Sequence, residues 1–189
     1  MSVWRACGAG FCHSETKFGK AIQWTTTKWW KMLSKRARKA CPTHAYVWFR
    51  HMSGNVVYFE ALEGEGFQGP YPIEKMVAWV EKDPENRWHK EYDLTDWVDP
   101  QDAYRFCELM IPRWRYNTKR LPLQLRTAGL GRRIIPASPN DVICSEADSR
   151  VLCTARLYLP EWAGKKNHDD MSPRHLMDAV EKLLEVRNK

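Results

Sequence analysis

The sequence predicts an α+β fold: a small, mainly antiparallel sheet packed with helices. Three observations point there. Two adjacent runs, AYVWF (45–49) and NVVYFEAL (55–62), are rich in β-branched and aromatic residues. The pentapeptide RHMSG (50–54) between them suits a hairpin loop. Elsewhere apolar residues recur at helical spacing. With 189 residues, 43% of them apolar, the chain can bury one sizeable core, so it reads as a single domain over 1–189.

Taken in order, residues 1–20 read as irregular because Gly8, Gly10 and Gly19 interrupt them. Residues 18–33 read as a helix with Phe18, Ala21 and Ile22 on one face, and 34–42 as a basic connector. The hairpin follows. Gly64, Gly66, Gly69, Pro70 and Pro72 then break the pattern. Ile73, Met76, Val77 and Val80 sit at i, i+3, i+4 and i+7, the spacing of a short amphipathic helix. A third strand is expected within 88–97. Asp99 before Pro100 predicts an N-cap with proline at the first helical position, and Ala103, Phe106, Leu109 and Met110 form that helix's expected buried face. The Arg-rich stretch 120–133 favours no element. Ser138 to Asp141 reads as another helix start, carrying Val142, Ile143, Ala147, Val151 and Leu152 inward. Ser172 and Pro173 begin a last helix through Leu176, Val180, Leu183 and Leu184.

The formal net charge of +7 favours acidic partners. A basic binding module for nucleic acid or another anionic polymer is therefore one functional class to weigh. Yet Lys and Arg outnumber Asp and Glu by only 30 to 23, and the one dense basic run, Lys28 to Lys39, reads as a solvated face. No window approaches the ~20 apolar residues of a membrane helix. The N-terminal residues lack a signal-peptide pattern. A cytoplasmic protein with its six cysteines reduced is the expectation.

Cys144 lies in SPNDVICSEADSR, near the start of a predicted helix. A thiol becomes a strong nucleophile as the thiolate, which a helix N-terminus and an imidazolium both stabilise. His44 directly precedes the first strand of the hairpin and is the candidate base. Glu60 on the paired strand is the candidate group that orients it. A register pairing 49 with 55 puts 44 opposite 60, at about 5 Å between Cβ atoms. On residue types alone, a buried core thiol at Cys144 competes with this reading.

The ordered segments FGKAIQWTT, THAYVWF, VVYFEAL, VICSEA and SPRHL resemble those of the permuted papain-like amidases. That group is the YiiX-like branch of the NlpC-type superfamily, related to the lecithin retinol acyltransferase-like proteins. The resemblance spans roughly residues 18–176, with 81–135 outside the quoted motifs. It implies a permuted papain-like fold, a Cys144 nucleophile, a His44 base and Glu60 as the third member. Thr43 stands where the family usually has serine. Glu146 matches the Glu of the family's CSE motif and is expected to be structural or substrate-facing. The implied activity is a cysteine amidase or peptidase that needs no cofactor. Its substrate would hold a peptide, isopeptide, cell-wall or acyl-amide bond, with the loops 63–72 and 110–137 around the groove.

One rival uses the same histidine: Cys7, Cys12, Cys41 and His44 as a zinc clamp, at looser spacing than small fingers use. His13, His89 and His168 lie in polar stretches and are expected in solvent, His51 on the hairpin loop and His175 at the surface. Trp24, Trp48, Trp79 and Trp97 read as core or groove walls. The GEGFQG run (64–69) lacks the lysine of a phosphate loop.

Overall fold

The structure, a computed structural model, describes residues 3–13, 40–62, 65–116, 140–154, 157–165, 167–168 and 171–187. The expected helix over 18–33, the basic run, Trp24, the Arg-rich stretch and the Ser138 cap lie outside these residues.

The fold is α+β. Strands β1 (Trp4–His13), β2 (His44–His51), β3 (Val56–Leu62), β4 (Gly66–Pro72) and β5 (Trp88–Asp93) form one antiparallel sheet in the order β4-β3-β2-β1-β5. Two short strands, β6 (Arg115–Tyr116) and β7 (Asp141–Val142), pair in parallel. The described helices are α1 (Glu74–Glu81), α2 (Pro100–Met110), α3 (Cys144–Leu152), α4 (Leu159–Trp162) and α5 (Pro173–Arg187).

The segment 4–13, expected to be irregular, is the strand between β2 and β5. Its glycines are there for close approach, not for a turn. A Cβ on Gly8 would stand 1.8 Å from the Tyr92 carbonyl oxygen, and one on Gly10 would stand 2.1 Å from the Tyr46 ring. Gly8→Ala is therefore expected to cost about 3 kcal/mol by overpacking. Gly54→Ala, in the open hairpin turn at φ 92°, should cost only about 1 kcal/mol of backbone strain. Urea melts of both variants check the contrast.

Alternation along the strands divides the sheet into two faces. Ala9, Phe11, Val47, Phe49 and Phe59 join the main core, which also takes Ala147 and Val151 of α3 and Leu176 and Val180 of α5. Trp48 and Tyr58 point the other way, into a smaller cluster with Met76 of α1. The segment read as a break between elements is strand β4. It lies at the sheet edge, where proline is tolerated because no further ladder bond is required.

Asp99 caps α2, its Oδ1 accepting from the N–H of Gln101 and of Asp102 at 2.9 Å each. In α2, Ala103 and Cys107 are buried and Phe106 and Met110 pack partly buried against the core, so of the expected inward face only Leu109, 57% exposed, is corrected. Helix α3 begins at Cys144, later than the expected start near Ser138, because Asp141 and Val142 are drawn into the β6–β7 pair. Val142, Ile143, Ala147, Val151 and Leu152 are all buried, as their spacing predicts. Among the described residues no helix is long and apolar enough to cross a membrane.

Candidate active site

His44 is the first residue of β2. The observed register pairs Tyr46, not His44, with Glu60, so the expected pairing is off by two residues. The face is unchanged, because side chains alternate with period 2. His44 and Glu60 are diagonal neighbours, a separation two long side chains can span. The His44 Nε2–H donates to Glu60 Oε2 at 2.8 Å. Both side chains keep some contact with solvent, 21% for His44 and 11% for Glu60.

Cys144 comes to the same histidine from the other side. Ile143 precedes it in extended conformation and supplies the carbonyl that accepts from the N–H of Glu146 and Ala147. Cys144 is thus the first helical residue, where backbone N–H groups lack intrahelical acceptors. Its thiol hydrogen-bonds to the His44 ring, and its sulfur accepts from the backbone N–H of Ala45 and Ser145. With Nε2 committed to Glu60, Nδ1 is the ring nitrogen left for the sulfur.

Burial alone would hold the Cys144 thiol neutral. The charge of His44, the hydrogen bond from its ring and the two backbone donors outweigh that, and the thiol is more acidic than an ordinary cysteine. Burial likewise works against a charged His44. The adjacent Cys144 sulfur and hydrogen bonds to Cys144 and Glu60 outweigh it and keep the imidazolium well above its usual range. Each group thus favours the charged form of the other. Other cysteines move the opposite way: burial pushes Cys7 and Cys12 up to about 12, Cys153 up to about 11, and Cys107 well up.

Asp148 stands one turn below Cys144 on α3 and is fully buried, with no hydrogen-bond partner for either carboxylate oxygen. Burial first, and the negative sulfur of Cys144 second, push its carboxyl well above the usual range, so it holds its proton. Sequence reasoning missed it. The available signal was its i+4 spacing from Cys144, which puts both on one helix face. Glu146 is fully buried and paired with Arg150 at 2.9 Å.

The zinc clamp fails on strand geometry. Cys7 and Cys12 are five residues apart on β1 and point to opposite faces. Cys7 joins the main core and donates to the Val98 carbonyl oxygen, while Cys12 joins the second cluster. Among the described residues no three His, Cys, Asp or Glu are grouped to hold a metal. Two histidines expected in solvent are not there. His13 is buried with Nδ1 at 2.8 Å from the Cys41 carbonyl oxygen. His168 lies 2.9 Å from Ser149 Oγ and packs edge-on to Tyr158, and burial pulls it down to about 4. His175 is half-buried beside its helix cap, Ser172.

No protein-family model, curated protein or solved structure matches this chain.

Proposed function

We propose that the protein is a cysteine hydrolase of amide bonds, with Cys144 as nucleophile, His44 as base and Glu60 as the group that orients the imidazole. The observation that carries this reading is one imidazole shared by two partners. Its Nε2 sits 2.8 Å from Glu60, and its ring also hydrogen-bonds to a thiol at the first residue of a helix. A core cysteine needs no such arrangement; a thiol nucleophile needs all of it. The chain order, base before nucleophile, agrees with the resemblance to permuted papain-like amidases, and that fold belongs to the same proposal.

The chemistry follows from these groups. The Cys144 sulfur attacks the acyl carbon, forming an S–C bond and moving the carbonyl π electrons to oxygen. The backbone N–H of Cys144, at the start of α3, stabilises that oxyanion. As the C–N bond breaks, the His44 imidazolium gives its proton to the departing nitrogen. The neutral imidazole then removes a proton from water. The hydroxide adds to the thioester, and the C–S bond breaks to release the acid and regenerate the thiolate. Glu60 keeps the ring aligned throughout and favours its charged form. The substrate class is a peptide, isopeptide, cell-wall or other acyl-amide bond.

Exposure to p-nitrophenyl acetate tests the reading without knowledge of the natural substrate. A burst of nitrophenolate near one equivalent, with one acetyl group mapped to Cys144 by mass spectrometry, is the expected result. Acetylation spread over lysines, with Cys144 unmodified, would contradict it.

A further inference from the structure

We infer that Ser145 is a positioning residue for Cys144: its buried hydroxyl, donating to the Met171 carbonyl oxygen, fixes the first turn of α3 and so sets where the thiol stands relative to His44. What this placement is for rests on the hydrolase reading; the tie itself does not.

The start of α3 needs such a tie. A helix end is ordinarily held by a capping side chain, because its first N–H groups have no intrahelical acceptor. At α3 the capping position is Ile143, which provides no side-chain hydrogen bond. Ser145 lies in the first turn and is fully buried. A buried hydroxyl is costly unless it is hydrogen-bonded. This one donates to the Met171 carbonyl oxygen at 2.9 Å, 26 residues along the chain. The bond runs out of the helix rather than back to its own backbone, so it holds α3 to another part of the fold.

The acceptor is itself fixed. Met171 is buried, and its N–H donates to the His168 carbonyl oxygen at 3.0 Å. The next residue, Ser172, caps α5 by accepting from the N–H of His175 at 3.2 Å. One turn further along α3, Ser149 Oγ lies 2.9 Å from His168 Nδ1. Two serines at i and i+4 therefore tie one face of the helix to the chain ahead of α5. Ser145 is the one beside the nucleophile. Cys144 and His44 stand on different elements, α3 and β2, and a reacting pair tolerates little drift between its supports.

The test follows alkylation of Cys144 against pH, by iodoacetamide and peptide mapping, in the parent, Ser145→Ala and Ser149→Ala. Each variant removes one oxygen from a buried serine tied to the chain ahead of α5, so a loss of stability alone should affect both alike. Urea melts confirm that both fold. The titratable groups around Cys144 are His44 of β2, Cys12 of β1, Glu60 of β3 and Asp148 of α3 itself, and all are present in each protein. In Ser145→Ala, labelling of Cys144 near pH 6 is expected to be about fivefold slower. Its profile should move to higher pH, because the thiol has lost part of the support of His44. Ser149→Ala should keep the parental profile, and so should Ser145→Thr, which retains the hydroxyl. A parental profile in Ser145→Ala overturns the inference. An equal shift in Ser149→Ala or in Ser145→Thr also overturns it, since the hydroxyl of Ser145 would then not be the cause. Acetylation of the parent by p-nitrophenyl acetate decides the hydrolase reading separately. No acetyl group on Cys144 would sink that reading while the alkylation profiles still decide the role of Ser145.

Discussion

Replacing His44 with alanine is expected to slow alkylation of Cys144 by on the order of 100-fold near neutral pH. Cys144 is 1% exposed, and burial of that degree suppresses the thiolate unless something offsets it. Here the offset is His44, by charge and by hydrogen bond, ahead of the backbone N–H groups of Ala45 and Ser145. Alanine leaves those backbone donors and the helix start in place, so reactivity should fall steeply without reaching that of a denatured thiol at high pH. The lost reactivity should return as pH is raised, because hydroxide replaces the missing base. Glu60→Gln should fall between the parent and His44→Ala, since glutamine can still accept from Nε2 but carries no charge to favour the imidazolium. Timed labelling with iodoacetamide and peptide mapping reads all three. A His44→Ala protein that labels at the parental rate would mean that the histidine does nothing for the thiol.

The second large effect concerns stability. Asp148 is expected to make the protein less stable as pH rises, and Asp148→Asn to remove that dependence. Burial holds the folded carboxyl well above its ordinary range, with the Cys144 sulfur adding to the effect. In the unfolded chain the same group ionises near pH 4. Above that pH the folded state keeps a proton that the unfolded state has lost. Stability from this group therefore declines as pH rises, with a slope of up to about 1.4 kcal/mol per pH unit until the folded carboxyl itself ionises. Asparagine has nearly the same shape and no such proton. The two proteins should be similar in stability near pH 4, and the variant's lead should grow as pH rises above it. Urea unfolding at several pH values measures the gap. Equal stability across that range would mean that Asp148 is ionised and partnered in the folded protein.

The sequence made the hairpin, the buried face of α3, the Asp99 cap and the last helix legible, because each rests on local pattern. It did not make β1 or β4 legible. In β1 the glycines serve contacts with Tyr92 and Tyr46, residues 84 and 36 positions away, so a local reading takes them for breakers. In β4 the prolines fit only because the strand is at an edge, a fact of the finished sheet. The site shows the same division. Cys144, His44 and Glu60 were found from residue type, helix start and strand pairing, and the structure brings them together. The register was misplaced by two residues because the hairpin turn takes up different residues than the spacing suggested, and an even slip leaves the face unchanged. Asp148 was passed over because a carboxylate in a helix ordinarily faces water.

Ranking the six cysteines by alkylation rate in the folded protein, near pH 6, tests the central claim most directly. Exposure and activation make opposite forecasts. Cys153 is the one free thiol that is not buried, whereas Cys144 is almost wholly enclosed. If the Cys144–His44 couple exists as described, a small reagent labels Cys144 first, because His44 and the backbone N–H groups favour its thiolate while burial disfavours that of Cys153. If Cys153 labels first and Cys144 last, accessibility governs these thiols, and Cys144 is a core cysteine that happens to lie beside a histidine.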